Sequence, residues 1–339
     1  MDWYLAAPFI HRASDRWLTA FVPEQMQMHF RAVPAAYQHD GSRSVTKFSQ
    51  WADYLSHGTT TWNIATRSKV RSGILTCYPQ LPAVIGLRKR LSRRDVPLVA
   101  WDMNLGTLHR GARQRLAKIS LRAVNRFIVH SRLEVKAYSE WVQLEPSRFL
   151  FVPLQRATEP ITIMEDERDP FVLSMGSAHR DYRLLFAVLE ELRYRTIVVA
   201  GSHAVVGLRV PANVTMKSGL SLADCNGLVQ RARLSVIPVA NQHTASGQRT
   251  LLDAMMFGRP VIVTHCPGSI DYVQDGVDAM LVTPDDHEHL KETLSSLWND
   301  AILRQRLGQA ARKTANQRFS DEVIGKVMGD VLSEVAREQ

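Results

Sequence analysis

The sequence predicts an α/β protein built from two doubly wound domains, each around a mainly parallel sheet. Three observations carry that expectation. Short apolar, β-branched runs of strand length alternate with stretches whose apolar residues recur at helical spacing, a rhythm that implies parallel strands joined by crossover helices. The chain has 339 residues, of which 45% are hydrophobic, enough for two ordinary domains with separate cores. Residues 155–169, QRATEPITIMEDERD, lack periodicity and are rich in charge. They read as a linker between a domain at 1–154 and another at 170–320.

In the first domain, residues 3–10 give a plausible opening strand, and residues 47–55 a helix; the remainder of 11–70 is mixed. The rhythm becomes regular after that. A strand at 73–76 is followed by a helix at 81–92, a strand at 97–101, a helix at 112–125, a strand at 126–130, a helix at 133–142 and a strand at 149–153. In such sheets function collects at the carboxyl ends of strands. Two ends stand out. The strand 97–101 delivers Asp102 and Asn104 into the loop AWDMNLG, where they either reach a binding site or serve the turn. The strand 126–130 delivers His130 and Ser131, with Glu134 at capping-box spacing, so Ser131 reads as a helix N-cap.

The second domain opens with a strand at 171–175 and the loop Gly176-Ser-Ala-His-Arg-Asp-Tyr182 leading into a helix at 183–192. A strand at 195–200, a short strand and turn at 213–219, a helix at 222–231 and a strand at 234–239 follow. The chain is organised around the next stretch, residues 241–264, NQHTASGQRTLLDAMMFGRPVIVT. Small polar residues leave a buried strand, apolar positions 251, 252, 255 and 256 mark a helix, Gly258 and Pro260 stop it, and a strand follows. Small residues before a helix N-terminus let backbone N–H groups approach an anion, phosphate being the natural guest. Asp253, one turn in, either accepts hydrogen bonds from sugar or ribose hydroxyls beside that phosphate or complements the helix dipole. A strand-bearing segment to residue 282 and helices at 286–297, 301–317 and 321–337 complete the chain.

The stretch SGQRTLLDAMMFGRPVIVT, followed by DYVQDGVDAMLVTPDD, resembles the nucleotide-sugar site of family-4 retaining glycosyltransferases of the GT-B fold. That family has a glutamate, a glycine-containing loop and a helix reading roughly LLEAMA-x-G-x-PVI. The second family glutamate falls on Asp253, one methylene shorter, and the first falls on Ala245, which shifts attention to Ser246, Gly247 and Gln248. In the earlier loop Gly176 matches the family glycine, Ser177 replaces an arginine and Arg180 falls on a lysine that binds the donor diphosphate. The loop near 217–219 would lie beside the base. The resemblance covers 170–320 in motif and the amino half in architecture alone.

It implies two Rossmann-like domains facing a central cleft. The first takes a glycan or lipid-linked acceptor through Asp102 and Asn104. The second binds a nucleotide-diphospho-sugar through Gly176, Ser177, Arg180, Ser246, Gly247, Gln248, Arg249, Thr250 and Asp253. The final segment, 321–339, would cross back to the first domain. Catalysis would fall to Asp102, Arg180 and Gln248, as retaining hexosyl transfer in surface or exopolysaccharide synthesis, with no metal and no cofactor. Where the family has a histidine before an aspartate, Trp101 precedes Asp102, which weakens any direct transfer of role. Two alternatives stay open: a nucleotide-sugar epimerase, and a non-catalytic nucleotide-sugar-binding partner protein, the latter because Ala245 and Ser177 stand where the family is charged.

Charge and composition bound the remaining classes. The formal net charge is +9, yet residues 87–137 hold thirteen basic residues against three acids. That balance of +10 suits an anionic membrane surface better than nucleic acid, because no aromatic-interleaved basic motif or small DNA-binding module accompanies it. Solvated helix faces are the plain alternative. No apolar run approaches the ~18 residues of a membrane span. The start, MDWYLAAPF, has an acid at position 2 and no basic leader, so it reads as a strand and not a signal peptide. Cys77, Cys225 and Cys266 are scattered, with no CxxC pair, which fits reduced thiols and argues against zinc. The expected location is cytoplasmic and peripheral on the inner face of the membrane. No paired-carboxylate signature of a glycoside hydrolase is present.

Overall fold

The computed structural model describes residues 1–338 except Arg16, residues 40–47, Arg93, Thr107 and residues 241–244. The chain divides into two compact units, residues Met1–Pro153 with Asp321–Gln339, and residues Leu154–Ser320.

The first unit carries a six-stranded sheet of β1 (Asp2–Ala6), β2 (His29–Val33), β3 (Ser72–Cys77), β4 (Leu98–Trp101), β5 (Arg126–Val129) and β6 (Phe149–Phe151), in the order β2-β1-β3-β4-β5-β6. Every pairing is parallel. Both faces are covered, which explains why its central strands are mostly apolar on both sides. Trp3, Leu5, Leu75, Val99 and Ile128 face one core, closed by Ile324, Met328 and Leu332 of the last helix, α10 (Asp321–Arg337). Their alternating neighbours Tyr4, Ile74, Leu98 and Phe127 face a second core under α1 (Phe48–Arg67), α2 (Gln80–Ser92), α3 (Ala112–Leu121) and α4 (Arg132–Val142).

Several boundaries differ from the sequence expectation. The opening strand stops at Ala6, short of the turn around Pro8. The helix expected at 47–55 runs from Phe48 to Arg67; Lys47 lies outside the described residues. Its second half carries Gly58 and four threonines, weak helix formers. The glycine is there for packing, since a Cβ would lie 2.8 Å from Val84. The strand β2 was unforeseen: it is an edge strand with exposed His29 and Arg31, and Arg31 pairs with buried Asp2 at 2.7 Å. The helix expected to reach residue 125 ends at Leu121.

The second unit repeats the architecture with β7 (Val172–Met175), β8 (Thr196–Val199), β9 (Val214–Lys217), β10 (Leu234–Ile237), β11 (Val261–Thr264) and β12 (Met280–Val282). Their order, β12-β11-β10-β7-β8-β9, is the doubly wound Rossmann order, reversing direction between β7 and β10. Between them run α5 (Tyr182–Leu192), α6 (Leu222–Arg231) and α7 (Gln248–Met256), followed by α8 (His287–Asn299) and α9 (Ala301–Arg318). The segment expected as a linker is instead bound to this unit. Arg156 N–H donates to Phe319 O at 2.8 Å, the Thr162 and Ile163 amides donate to Gln230 Oε1 at 2.7 and 3.0 Å, and Glu165 pairs with Arg233 at 2.8 Å. Its charges are partners for α6 and the strand after it, which is why it showed no period of its own.

Candidate functional site

The reversal of strand order between β7 and β10 opens a crevice at their carboxyl ends, and the site residues of the second unit gather there. β7 ends at Gly176, whose φ of 112° is open only to glycine; a Cβ there would lie 2.5 Å from the Arg180 guanidinium. The following loop is pinned to the end of β10, with Asp181 N–H donating to Pro238 O and Ala240 N–H to His179 O, both at 3.0 Å. Asp181 then caps α5 by accepting from Leu184 N–H, and Tyr182 donates to Gly176 O at 2.6 Å. These contacts fix the backbone that carries Arg180.

Arg180 spreads its guanidinium across the crevice. Nε donates to Met175 O at 3.1 Å, one terminal nitrogen to Ala178 O at 2.9 Å and, more loosely, to Ser246 Oγ at 3.5 Å, and the other to Thr250 Oγ1 at 3.1 Å. All these acceptors are neutral. Among the described residues no carboxylate pairs with it, and burial pushes its pKa down. The same charge, after burial, lowers the pKa of neighbouring His179.

Gly247 is the N-cap of α7 in the left-handed conformation, φ 88°, and no side chain caps the helix. This helix N-terminus, with its partial positive charge, lies beside an arginine that no carboxylate among the described residues pairs. Thr250 Oγ1 donates to Gly247 O at 2.9 Å, holding the turn closed. Ser246 and Gln248 are buried and Arg249 is exposed. Ala245 is 4% exposed, in a position too enclosed for the glutamate that the resembled family has there to sit in water. Ser177 faces the other way, accepting from Gly201 N–H at 2.8 Å, so it braces two loops.

Asp253 is tied to a residue that sequence reading missed. Arg156 Nε donates to its Oδ1 at 2.6 Å, and the same guanidinium holds Asn226 Oδ1 at 3.0 Å and Glu159 at 3.3 Å. Asn226 closes the network by donating to Glu159 at 2.9 Å. Burial raises the Asp253 pKa, and Arg156 opposes that rise. Nothing in the sequence marked Arg156, which sits in a stretch without periodicity.

Asp102 and Asn104 lie in the first unit. Asp102 has a left-handed φ of 54°, and its carboxylate sits 3.2 Å from His130 Nε2. His130 Nδ1 lies 2.7 Å from Val152 O, so that nitrogen carries the proton, and a neutral ring would turn a lone pair toward the carboxylate. Burial alone would lower the His130 pKa; Asp102, Val152 O and Glu134 outweigh it and raise it. The sequence had flagged both strand ends without joining them. Asn104 accepts from Gly106 N–H at 2.9 Å, the turn-forming role. Ser131 caps α4 as expected, accepting from Leu133 N–H. Among the described residues no group of three or more His, Cys, Asp and Glu side chains could hold a metal ion, and no helix is long and apolar enough to cross a membrane.

Residues 164–314 match the family model described as glycosyl transferases group 1. This stretch is similar to group 1 glycosyltransferases. It contains Gly176, Arg180, the Gly247 turn and Asp253, so the crevice described above lies inside the matched stretch. Among curated relatives, the O-antigen chain mannosyltransferase C of Escherichia coli is 29% identical over 45% of this chain and 43% of that protein. The capsular polysaccharide biosynthesis glycosyltransferase CapM of Staphylococcus aureus is 29% identical over 26% of this chain and 23% of that protein. The chain thus spans less than half the length of these relatives. Both units are matched in fold: the crystal structure of Anabaena HepE in complex with UDP superposes with a TM-score of 0.70 at 15% identity, covering 98% of this chain and 100% of that one. The whole chain has the GT-B architecture of two Rossmann-like units.

Proposed function

We propose that the chain moves a sugar from a nucleotide-diphospho-sugar to a glycan or lipid-linked acceptor in surface or exopolysaccharide synthesis. The observation that carries this reading is the Arg180 guanidinium, held among the described residues by neutral acceptors only, beside the N-terminus of α7. A cation that no described carboxylate pairs and the partial positive charge of a helix N-terminus together form a receptor for a diphosphate. They would also stabilise charge developing on the departing diphosphate, so the scheme needs neither metal nor cofactor. The curated relatives' names, O-antigen and capsular polysaccharide synthesis, support the class of acceptor. That the HepE structure contains UDP supports a uridine nucleotide as one donor to try first.

Within this reading Gly176, Arg180, Ser246, Gly247, Gln248, Arg249 and Thr250 serve the diphosphate and sugar, and Ser177 braces the loop. Asp253 serves the ribose through the carboxylate oxygen that Arg156 leaves open. Asp102 orients or deprotonates the acceptor hydroxyl from the first unit, with Asn104 shaping its loop. Retention at the anomeric carbon and a hexosyl donor follow from the family-4 resemblance, and the chain would work on the cytoplasmic face of an anionic membrane.

The experiment is a panel of UDP-, GDP- and other nucleotide-activated sugars, scored for nucleotide release and product with and without lipid-linked acceptor. Transfer supports the reading. Isomerised donor would point instead to an epimerase. Buried Ala245, standing where the family has its sugar-contacting glutamate, favours one rival in particular, a binding subunit without turnover. Binding of donor with no turnover across the panel would establish that rival.

A further inference from the structure

The basic segment of the first unit presents a surface whose apolar residues the charge count does not reveal. On α2, Arg90 and Leu91 lie three and four residues after Leu87, Arg94 follows just beyond the helix end, and Leu91 is 75% exposed. On α3, Ile119 lies four residues after Arg115 and three after Leu116, Arg122 caps the helix end, and Leu116 is 69% exposed. The two helices are joined: Arg90 donates to Ile119 O at 3.3 Å, and Lys89 to Asn125 Oδ1 at 2.8 Å. Between them Lys89, Arg90, Arg94, Asp95, Arg122 and Ala123 line an open cavity of about 450 Å³. Neither helix contains an acidic residue. Lys89 is partly neutralised by Asp95 at 3.6 Å, which leaves three arginines as the working charges of the cavity.

Solvated helix faces do not need large apolar side chains among their cations. Four of them, Leu87, Leu91, Leu116 and Ile119, stand exposed on two neighbouring helices whose remaining outward residues are arginine, lysine or small. That combination of a cationic rim and protruding leucines is the pattern of a face lying in a bilayer interface, with apolar tips at the acyl boundary and guanidinium groups at phosphate depth. A face of the chain's own kind is a poor partner, because it would oppose arginine to arginine.

We infer that the α2–α3 face docks on anionic phospholipid, with Leu91 and Leu116 inserted below the headgroups and Arg90, Arg94 and Arg122 gripping phosphate. The inference adds a docking face to the membrane setting of the transfer reading. It is tested on vesicles alone, so transfer activity can fail while it holds.

The full chain is sedimented with vesicles of phosphatidylcholine alone and of phosphatidylcholine with 30 mole per cent phosphatidylglycerol, at about 0.1 and about 0.5 M salt, where the screening length shrinks from about 10 Å to a few ångströms. Binding is expected on the anionic vesicles and absent on the neutral ones, with a residue of binding that survives high salt. Arg90→Ser with Arg94→Ser and Arg122→Ser should weaken binding at low salt by about 100-fold. Leu91→Ser with Leu116→Ser should weaken it by roughly tenfold or more and remove the salt-resistant part. All five positions are on the surface, and unchanged circular dichroism and melting temperature verify folding. No binding to anionic vesicles, or variants that bind like wild type, overturns the inference. So does a dimer seen by ultracentrifugation in the wild type and lost in the leucine variant, which would make this face a contact between copies.

Discussion

Replacing Arg180 separates what the site does for a ligand from what it does for the fold. Arg180→Met keeps much of the side-chain volume and removes the charge. Among the described residues the guanidinium makes four hydrogen bonds, all to neutral acceptors, each worth about 1 kcal/mol net, and set against them is the cost of a buried charge that no described carboxylate pairs. These nearly cancel, so the unliganded variant should stay within about 1 kcal/mol of wild-type stability. Donor binding should not be so forgiving. A charge-assisted hydrogen bond to phosphate contributes about 1.5–3 kcal/mol, so the Kd for a nucleoside diphosphate should rise roughly 10- to 150-fold. Arg180→Lys should fall between, because an ammonium keeps the charge but cannot span Met175 O and Thr250 together. Titration calorimetry reads the affinity. Thermal shift supplies a second reading, since ligand at 100 times Kd stabilises wild type by about 2.7 kcal/mol and should barely move the methionine variant. A methionine variant that binds UDP and GDP within twofold of wild type would refute the diphosphate assignment.

Arg156→Gln should destabilise the second unit by about 3 kcal/mol in denaturant titration, because it strands a buried Asp253 carboxylate; adding Asp253→Asn should recover part of that loss, and strict additivity would argue against the pair. The raised His130 pKa makes a contribution to stability that is full below about pH 6.5, the unfolded value, and fades as pH rises through the folded value. Stability measured from pH 5.5 to 9 should therefore carry a component that Asp102→Asn abolishes, while that variant's transfer rate tests the proposed acceptor role of Asp102. Gln248→Ala should reduce turnover more than affinity for free nucleotide; equal losses would place Gln248 at the phosphates. Gly308→Ala, which by helix propensity should stabilise α9 by about 1 kcal/mol, should lower the melting temperature instead, since its Cβ would lie 2.2 Å from Gly258 O.

How much of this could be read from the sequence varied with the kind of signal. Strands of the central sheets were legible because burial on both faces writes a mostly apolar, β-branched run, as in Leu234–Ile237 or Val261–Thr264. The edge strand β2 was not, because its exposed His29 and Arg31 dilute the same signal. In the site, Gly176, Arg180 and the Gly247 turn were visible as local patterns around strand ends. Arg156 was invisible because its role depends on a contact with Asp253, 97 residues away, and on a backbone pairing with Ser320. The same holds for His130 and Asp102: each was legible as a strand end, but their meeting depends on β4 and β5 being neighbours. Charge was legible as a sum, whereas the leucines among the arginines took on meaning only when α2 and α3 were seen side by side.

The placement of α10 sets an order of events during synthesis. Ile324, Met328 and Leu332 close one face of the first sheet, yet the ribosome makes them after the whole of residues 154–320. At cellular elongation rates that leaves the core around Trp3, Leu5 and Leu75 open for on the order of ten seconds or more, while the second unit, uninterrupted in sequence, is free to fold as it emerges. The first half of the message thus encodes the last part of the protein to become native. Removing the final helix would leave that half with a permanently open core, a target for chaperones and proteases.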